Sequence, residues 1–178
     1  HQVTLHRHCR ERRHGRLEDP VTQLVNDPVN AIGKSPADSG NRYALITGAS
    51  AGLGAEFARQ LASMGKKLIL VARREDRLQT LAESLKKQYQ IECEIIVADL
   101  SEKNAGKQVA DTCLSAGWRV DWLVNNAGIA GPDLLNDRDW NEQQNFFQLM
   151  MLSVADLCHR LIPGMVERDY GRVINVAS

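Results

Sequence analysis

Thr47-Gly48-Ala49-Ser50-Ala51-Gly52-Leu53-Gly54 is the stretch on which the fold turns. It follows a compact apolar run, Tyr43 to Thr47 (YALIT). It opens a segment in which Leu53, Phe57, Leu61 and Met64 recur at helical spacing before Gly65, a good C-terminal stop. Strand, glycine turn and helix in that order bring free backbone amides and the positive end of the helix dipole to one point, where a diphosphate can be held. Glycine is needed because a side chain would block that approach. The spacing is G-x-x-x-G-x-G, which differs from the common dinucleotide G-x-G-x-x-G, and no Gly-Lys-Ser/Thr closes it as in a phosphate-binding P-loop. On its own the octapeptide also suits a tight glycine turn in any α/β protein.

Outward from it, the text alternates regularly. Lys67 to Ala72 (KLILVA) reads as a second strand and Glu75 to Tyr89 as a helix, with Leu78, Leu81, Ala82, Leu85 and Tyr89 along one side. Glu92 to Ala98 is a third strand, and Lys103 to Ala116 a third helix carrying Val109, Cys113 and Leu114. Asp121 to Asn125 (DWLVN) is the fourth strand, and Asp133 to Trp140 suits a border of the substrate pocket or, preferably, the loop entering a long helix from near Gln143 to Arg168. Arg172 to Ala177 (RVINVA) is the fifth strand. Pro163 is expected to kink that helix or to mark its final turns. Strands that are apolar throughout, alternating with helices, imply a parallel sheet covered on both faces. Right-handed crossovers make it a doubly wound α/β sheet, the Rossmann fold.

Composition agrees with one ordinary globular domain: 178 residues, 43% hydrophobic and 25% charged. Lys plus Arg equal Asp plus Glu at 22 each, so the formal net charge is zero and no global field favours nucleic acid or anionic lipid. Apolar runs such as Leu68 to Ala72 are too short to span a bilayer, and no secretory signal is seen. The expectation is a soluble, cytoplasmic protein without a membrane partner. Cys9, Cys93, Cys113 and Cys158 are scattered and form no C-x-x-C pair, so they read as reduced thiols.

Residues 1 to 41 differ from the rest. They hold four of the five histidines, the basic cluster Arg7, Arg10, Arg12, Arg13 and Arg16, and the breakers Pro20, Pro28, Gly33, Pro36 and Gly40. His6, His8, Cys9 and His14 match no common zinc spacing, and no metal site is assigned. A basic arm toward a phosphate-bearing partner is one reading of this segment, and a disordered or non-native extension the preferred one. The chain begins with His1 and its first methionine is Met64, so the expectation is a missing start or a non-native upstream segment. Residues 42 to 178 are read as the dinucleotide-binding domain.

Further motifs fall in order behind the glycine turn: Asp99-Leu100 after the third strand, and Asn125-Asn126-Ala127-Gly128 after the fourth. Together with Thr47 to Gly54, they make residues 42 to 178 resemble the single-domain branch of the short-chain dehydrogenase/reductases, whose motifs are T-G-x-x-x-G-x-G, an acidic residue and N-N-A-G. The resemblance implies a cofactor site built from Gly48, Ser50, Ala51, Gly52, Leu53 and Gly54, with Ser50 and Leu53 lining the diphosphate and ribose. Asp99 and Leu100 would lie at the adenine, whose amino group Asp99 meets, and Asn126, Ala127 and Gly128 near the other ribose. Singly, Asp99 suits a solvated loop acid, and Asn125 and Asn126 a turn that caps a strand. The extended sugar-nucleotide epimerase branch is disfavoured, because its glycines are spaced G-x-x-G-x-x-G.

The end of the second strand separates the two nicotinamide cofactors: a carboxylate there suits the ribose 2′-hydroxyl of NAD, a cation the 2′-phosphate of NADP. Here Ala72 is followed by Arg73 and Arg74, which favours NADP(H) with Arg73 as main contact, although both arginines also suit simple solvation of the next helix start. The implied activity is hydride transfer between NADP(H) and a carbonyl or secondary alcohol, a small-molecule substrate whose identity the sequence does not give. Ser178 matches the family's catalytic serine, which orients the substrate oxygen. The Tyr-x-x-x-Lys pair is expected beyond it, with the sheet cut after its fifth strand. Tyr170 is no substitute, since no lysine follows four residues on. The family's relay asparagine falls at Met150, whose thioether donates no hydrogen bond. That departure keeps a catalytically silent NADP(H)-binding module as the alternative. Relatives form dimers or tetramers through the long helix, and here Leu149, Leu152, Leu157 and Leu161 suit that contact or, preferably, the core.

Overall fold

The computed structural model describes residues 40–133 and 139–177. The segment 1–39, with its histidines and basic cluster, lies outside the described residues, as do 134–138 in the loop before the long helix and Ser178. The order of elements is β1 (Arg42–Thr47), α1 (Gly52–Ser63), β2 (Lys67–Ala72), α2 (Glu75–Tyr89), β3 (Cys93–Val97), α3 (Ala105–Ser115) and β4 (Arg119–Asn125). Then come α4 (Trp140–Phe147), a π-helical turn (Gln148–Leu152), α5 (Ser153–Glu167) and β5 (Arg172–Asn175). The strands form one parallel sheet in the order β3-β2-β1-β4-β5. This is the doubly wound arrangement the alternating pattern implies.

Alternate residues of each central strand face opposite sides, and each side is closed by its own helices. Ala44, Ile46, Leu68, Leu70 and Val124 pack with Phe57 and Leu61 of α1 and Leu78 and Leu85 of α2. Tyr43, Leu45, Ile69, Val71 and Leu123 pack with Val109 and Cys113 of α3 and Leu157 and Met165 of α5. Because β2 and β4 flank β1, the chain leaves β1 toward one side and returns from the other. The loops above β1 and β4 therefore part and leave a crevice at the carboxyl ends of the strands. Burial pushes the Cys93 and Cys113 thiols up to about 12, so both are neutral core groups at physiological pH.

Several local expectations change. Leu53 is 55% exposed rather than on the buried face: in the first turn of α1 the inward positions are taken by Gly54 and Ala55. Leu114 is exposed because Val109, Ala110 and Cys113 already define the inward stripe of α3, and Leu114 lies about 100° off it. The long helix starts at Trp140, three residues early, because Asp139 caps it by accepting from the Asn141 amide. It runs unbroken through Pro163, which falls in the last turns as expected. Within the 28-residue span Trp140–Glu167 an 18-residue stretch reaches a mean hydropathy of 1.3, so by length and composition this helix is long and apolar enough to cross a membrane, which the short strand runs did not suggest. One face of it is nevertheless committed to the sheet, through Leu149, Ser153, Leu157 and Met165.

A register shift sits between β1 and β4. Tyr43 is opposite Val120 and Ala44 opposite Trp122, so Asp121 has no partner across the ladder. Its buried carboxylate is held instead by Arg42 at 2.8 Å and Arg168 at 3.0 Å, which ties the foot of β1 to the end of α5.

Candidate functional site

The crevice above β1 and β4 is a cavity of about 290 Å³. Its walls include Gly48, Ser50, Ala51 and Gly52 from the glycine turn, Arg73 and Arg74 from the end of β2, and Asp99 and Leu100 after β3. Asn126, Ala127 and Gly128 after β4 complete it. Residues up to 80 positions apart in sequence are thus brought together. Val71, Ala72, Ala98, Ile129 and Leu149 add apolar lining that no motif had singled out, since each is an ordinary strand, loop or helix residue in the sequence.

Leu53 and Gly54, expected in the same set, do not line the cavity. Gly54 has a different role. A Cβ on it would stand 2.4 Å from the Gly48 carbonyl oxygen and 2.5 Å from Asn126 Nδ2, so it lets α1 sit directly on the turn. Gly48 adopts φ +66°, and a Cβ there would meet the Ala127 backbone at 2.8 Å. The two glycines thus allow three backbone segments to converge where a side chain would part them.

Thr47, whose side chain the sequence reading left without a role, is the fastener of this convergence. Its Oγ1 accepts from the amides of Asn126 (2.9 Å) and Ala127 (3.0 Å) and donates to the Val124 carbonyl (3.3 Å). Asn126 answers by donating from Nδ2 to the Thr47 carbonyl at 3.0 Å. The asparagine of the motif therefore turns its side chain back into the scaffold. Asn125 does likewise, donating to Asn175 Oδ1 at 2.8 Å and so joining β4 to β5.

The floor of the cleft is electropositive by construction. Ala51, the residue before α1, is extended and offers no side-chain cap, so the first amides of α1 have no partner within the helix, at the end of the glycine turn. Arg74 donates to Ser50 Oγ at 3.0 Å. Arg73, expected as the main cation, is instead paired with Asp99 at 3.5 Å. Burial raises the Asp99 carboxyl, but hydrogen bonds from the Ser101 hydroxyl and amide, together with Arg73, outweigh it and hold Asp99 below the ordinary carboxylate range. Among the described residues no cluster of three or more His, Cys, Asp or Glu is placed to hold a metal.

Met150 lies in the π turn and is half-buried, with its sulfur 3.3 Å from where a Cβ of Gly128 would stand. It lies against Gly128 and, unlike Gly128, does not line the cavity.

A strand, a glycine turn with uncapped helix amides and two arginines at a switch point define a dinucleotide-binding α/β fold. The family model "short chain dehydrogenase" matches residues 42–178, and the chain belongs to this family. It is 32% identical over 145 residues to the human "Inactive hydroxysteroid dehydrogenase-like protein 1", covering 77% of this chain and 42% of that protein. It is 31% identical over 147 residues to the "Very-long-chain 3-oxoacyl-CoA reductase" of Anas platyrhynchos, covering 76% of this chain and 45% of that one. Among solved structures, a metagenomic short-chain oxidoreductase in complex with NADP superposes with a TM-score of 0.71 at 32% identity, over 77% of this chain and 62% of that one. The chain thus spans less than half the length of these curated relatives.

Proposed function

We propose that this chain is the cofactor-binding part of an NADP(H)-dependent reductase or dehydrogenase acting on a carbonyl or secondary alcohol. The observation that carries the reading is the cleft with uncapped α1 amides on one wall and two arginines on the other. The glycine turn fits a diphosphate, because Gly52 presents backbone with open space where a Cβ would stand. Arg73 and Arg74, with no carboxylate at position 72, fit a 2′-phosphate. Asp99 and Leu100 bound the adenine end; Asn126, Ala127 and Gly128 bound the ribose nearer the nicotinamide. Bound NADP(H) supplies the hydride exchanged with the substrate. Ser178 orients the substrate oxygen in this reading, by its match to the family serine. Proton transfer is assigned to a Tyr-x-x-x-Lys pair in the longer protein.

The solved relative's complex with NADP supports this choice of cofactor. Full-length protein titrated with both reduced cofactors should bind NADPH about tenfold or more tightly than NADH, since a charged phosphate contact contributes about 1.5–3 kcal/mol. Replacing both arginines by alanine should bring the two affinities together. Equal affinities in the native protein would overturn the assignment.

A silent binding module is favoured by one observation, the Met150 thioether in place of a relay amide, and by the likeness to a protein called inactive. NADPH binding without oxidation in the presence of a carbonyl panel would establish it. Association of two copies through the long helix belongs to the same proposal, because Met151, Leu152 and Val166 leave an apolar stripe on its outer side.

A further inference from the structure

Arg73 and Arg74 are neighbours in sequence and share one cavity, yet they are committed to different partners. The ladder between β2 and β3 continues one residue past β3, with the Ala98 amide donating to the Ala72 carbonyl at 3.0 Å. With Ala72 opposite Val97, the register continues to Arg73 opposite Ala98, and Arg73 reaches the neighbouring Asp99 through its side chain. Asp99 is not free to turn away, since its Oδ1 accepts from both the amide (2.9 Å) and the hydroxyl (2.6 Å) of Ser101. Its Oδ2 is left toward Arg73 Nη1 at 3.5 Å. Arg74 meets a neutral group instead, Ser50 Oγ on the glycine turn.

We infer that Asp99 sets the strength of the cleft's preference for a 2′-phosphate by competing with that phosphate for Arg73, and that Arg74, seated on Ser50, is the principal phosphate cation. The inference rests on the NADP(H) reading above. A phosphate dianion entering beside Arg73 gains a guanidinium already balanced by a carboxylate, and it meets the like charge of Asp99. At Arg74 it gains a cation with no such partner among the described residues. The Ser50 hydroxyl, which accepts from Arg74, keeps its own hydrogen for a phosphate oxygen. Asp99 thereby works against the nucleotide selectivity that the two arginines confer. The effect belongs to partly exposed groups, so it is modest and weakens as salt rises.

Full-length protein is titrated calorimetrically at low ionic strength with 2′,5′-ADP and with 5′-AMP, which differ only in the phosphate at issue. Asp99→Asn removes the charge while its amide oxygen can still accept from Ser101, and any change at the adenine is common to both nucleotides and cancels in their ratio. The substitution should raise the affinity ratio of 2′,5′-ADP over 5′-AMP about two- to fivefold. Arg74→Gln should lower the ratio about tenfold, and Arg73→Gln clearly less. In the Asp99→Asn background, Arg73→Gln should cost more than in the native protein. A ratio unchanged or lowered by Asp99→Asn overturns the proposal. Should that variant fold poorly, a loss from Arg73→Gln equal to or larger than that from Arg74→Gln overturns it from the other side. If the native protein does not distinguish the two nucleotides, the NADP(H) reading itself falls and takes this inference with it. If it prefers 2′,5′-ADP but Asp99→Asn leaves the ratio alone, only the inference falls.

Discussion

The hydroxyl of Thr47 serves three backbone groups at once, and two of them, the amides of Asn126 and Ala127, have no other acceptor recorded among the described residues. Thr47→Val preserves shape and removes the acceptor, which should cost about 1–3 kcal/mol for a buried donor left unpaired. Thermal denaturation would show it as a lowered midpoint, and cofactor affinity should fall with it as the N-N-A-G loop loosens. The glycines make a sharper contrast. Gly54→Ala forces a Cβ against backbone and should destabilise by about 1–3 kcal/mol. Gly52→Ala meets nothing within 4 Å and carries only the strain of φ +55°, about 1–2 kcal/mol. If Gly52→Ala destabilised more than Gly54→Ala, the packing account of the turn would be wrong. These three residues also mark how far the motif could be read. The need for bare backbone at Gly48 and Gly54 follows from strand, turn and helix in sequence. Apart from the Gly48 carbonyl that Gly54 meets, the partners that impose it lie 72 to 79 positions away, at Asn126 and Ala127, and local pattern carries no trace of them.

At the scale of elements, strand and helix were legible because burial on both sides of a parallel sheet writes unbroken apolar runs such as KLILVA, and because glycine and charge punctuate them. What escaped was geometry that keeps hydrophobic pattern intact. The π turn at Gln148–Leu152 inserts an extra residue per turn without changing composition, and it decides where Met150 faces. The β1–β4 register shift is equally silent: Asp121 reads as a strand opener with an acid before an apolar run, and only the pairing shows it buried between Arg42 and Arg168. Removing one member of such a cluster leaves buried charge uncompensated. Asp121→Ala should therefore destabilise by about 3–5 kcal/mol, whereas Arg168→Met, which leaves the Arg42 pair in place, should cost less. Chemical denaturation of the two variants measures this order, and the reverse order would place the weight of the cluster on α5 instead of on the bulge.

For the molecule as a whole, two surfaces bear on association. One is the outer side of the long helix, where Met151, Leu152, Ile162 and Val166 are exposed. The other is the far edge of β5, whose Val173 is 38% exposed and whose outer backbone groups pair with no described strand. Either favours association, by different physics. An apolar helix stripe buries area in a closed pairing, and each large side chain withdrawn from water contributes about 1.5–3 kcal/mol. A strand edge recruits further edges through backbone hydrogen bonds and does not close. The polypeptide of residues 40–178 is therefore expected to self-associate, and the two routes part under substitution. Val166→Glu puts a charge in the helix stripe and should shift a discrete dimer to monomer in sedimentation equilibrium. Val173→Lys charges the edge strand and should suppress open-ended growth while leaving any dimer intact. A dimer abolished by Val173→Lys and indifferent to Val166→Glu would assign the association to the strand edge and remove the helix stripe from the proposed interface.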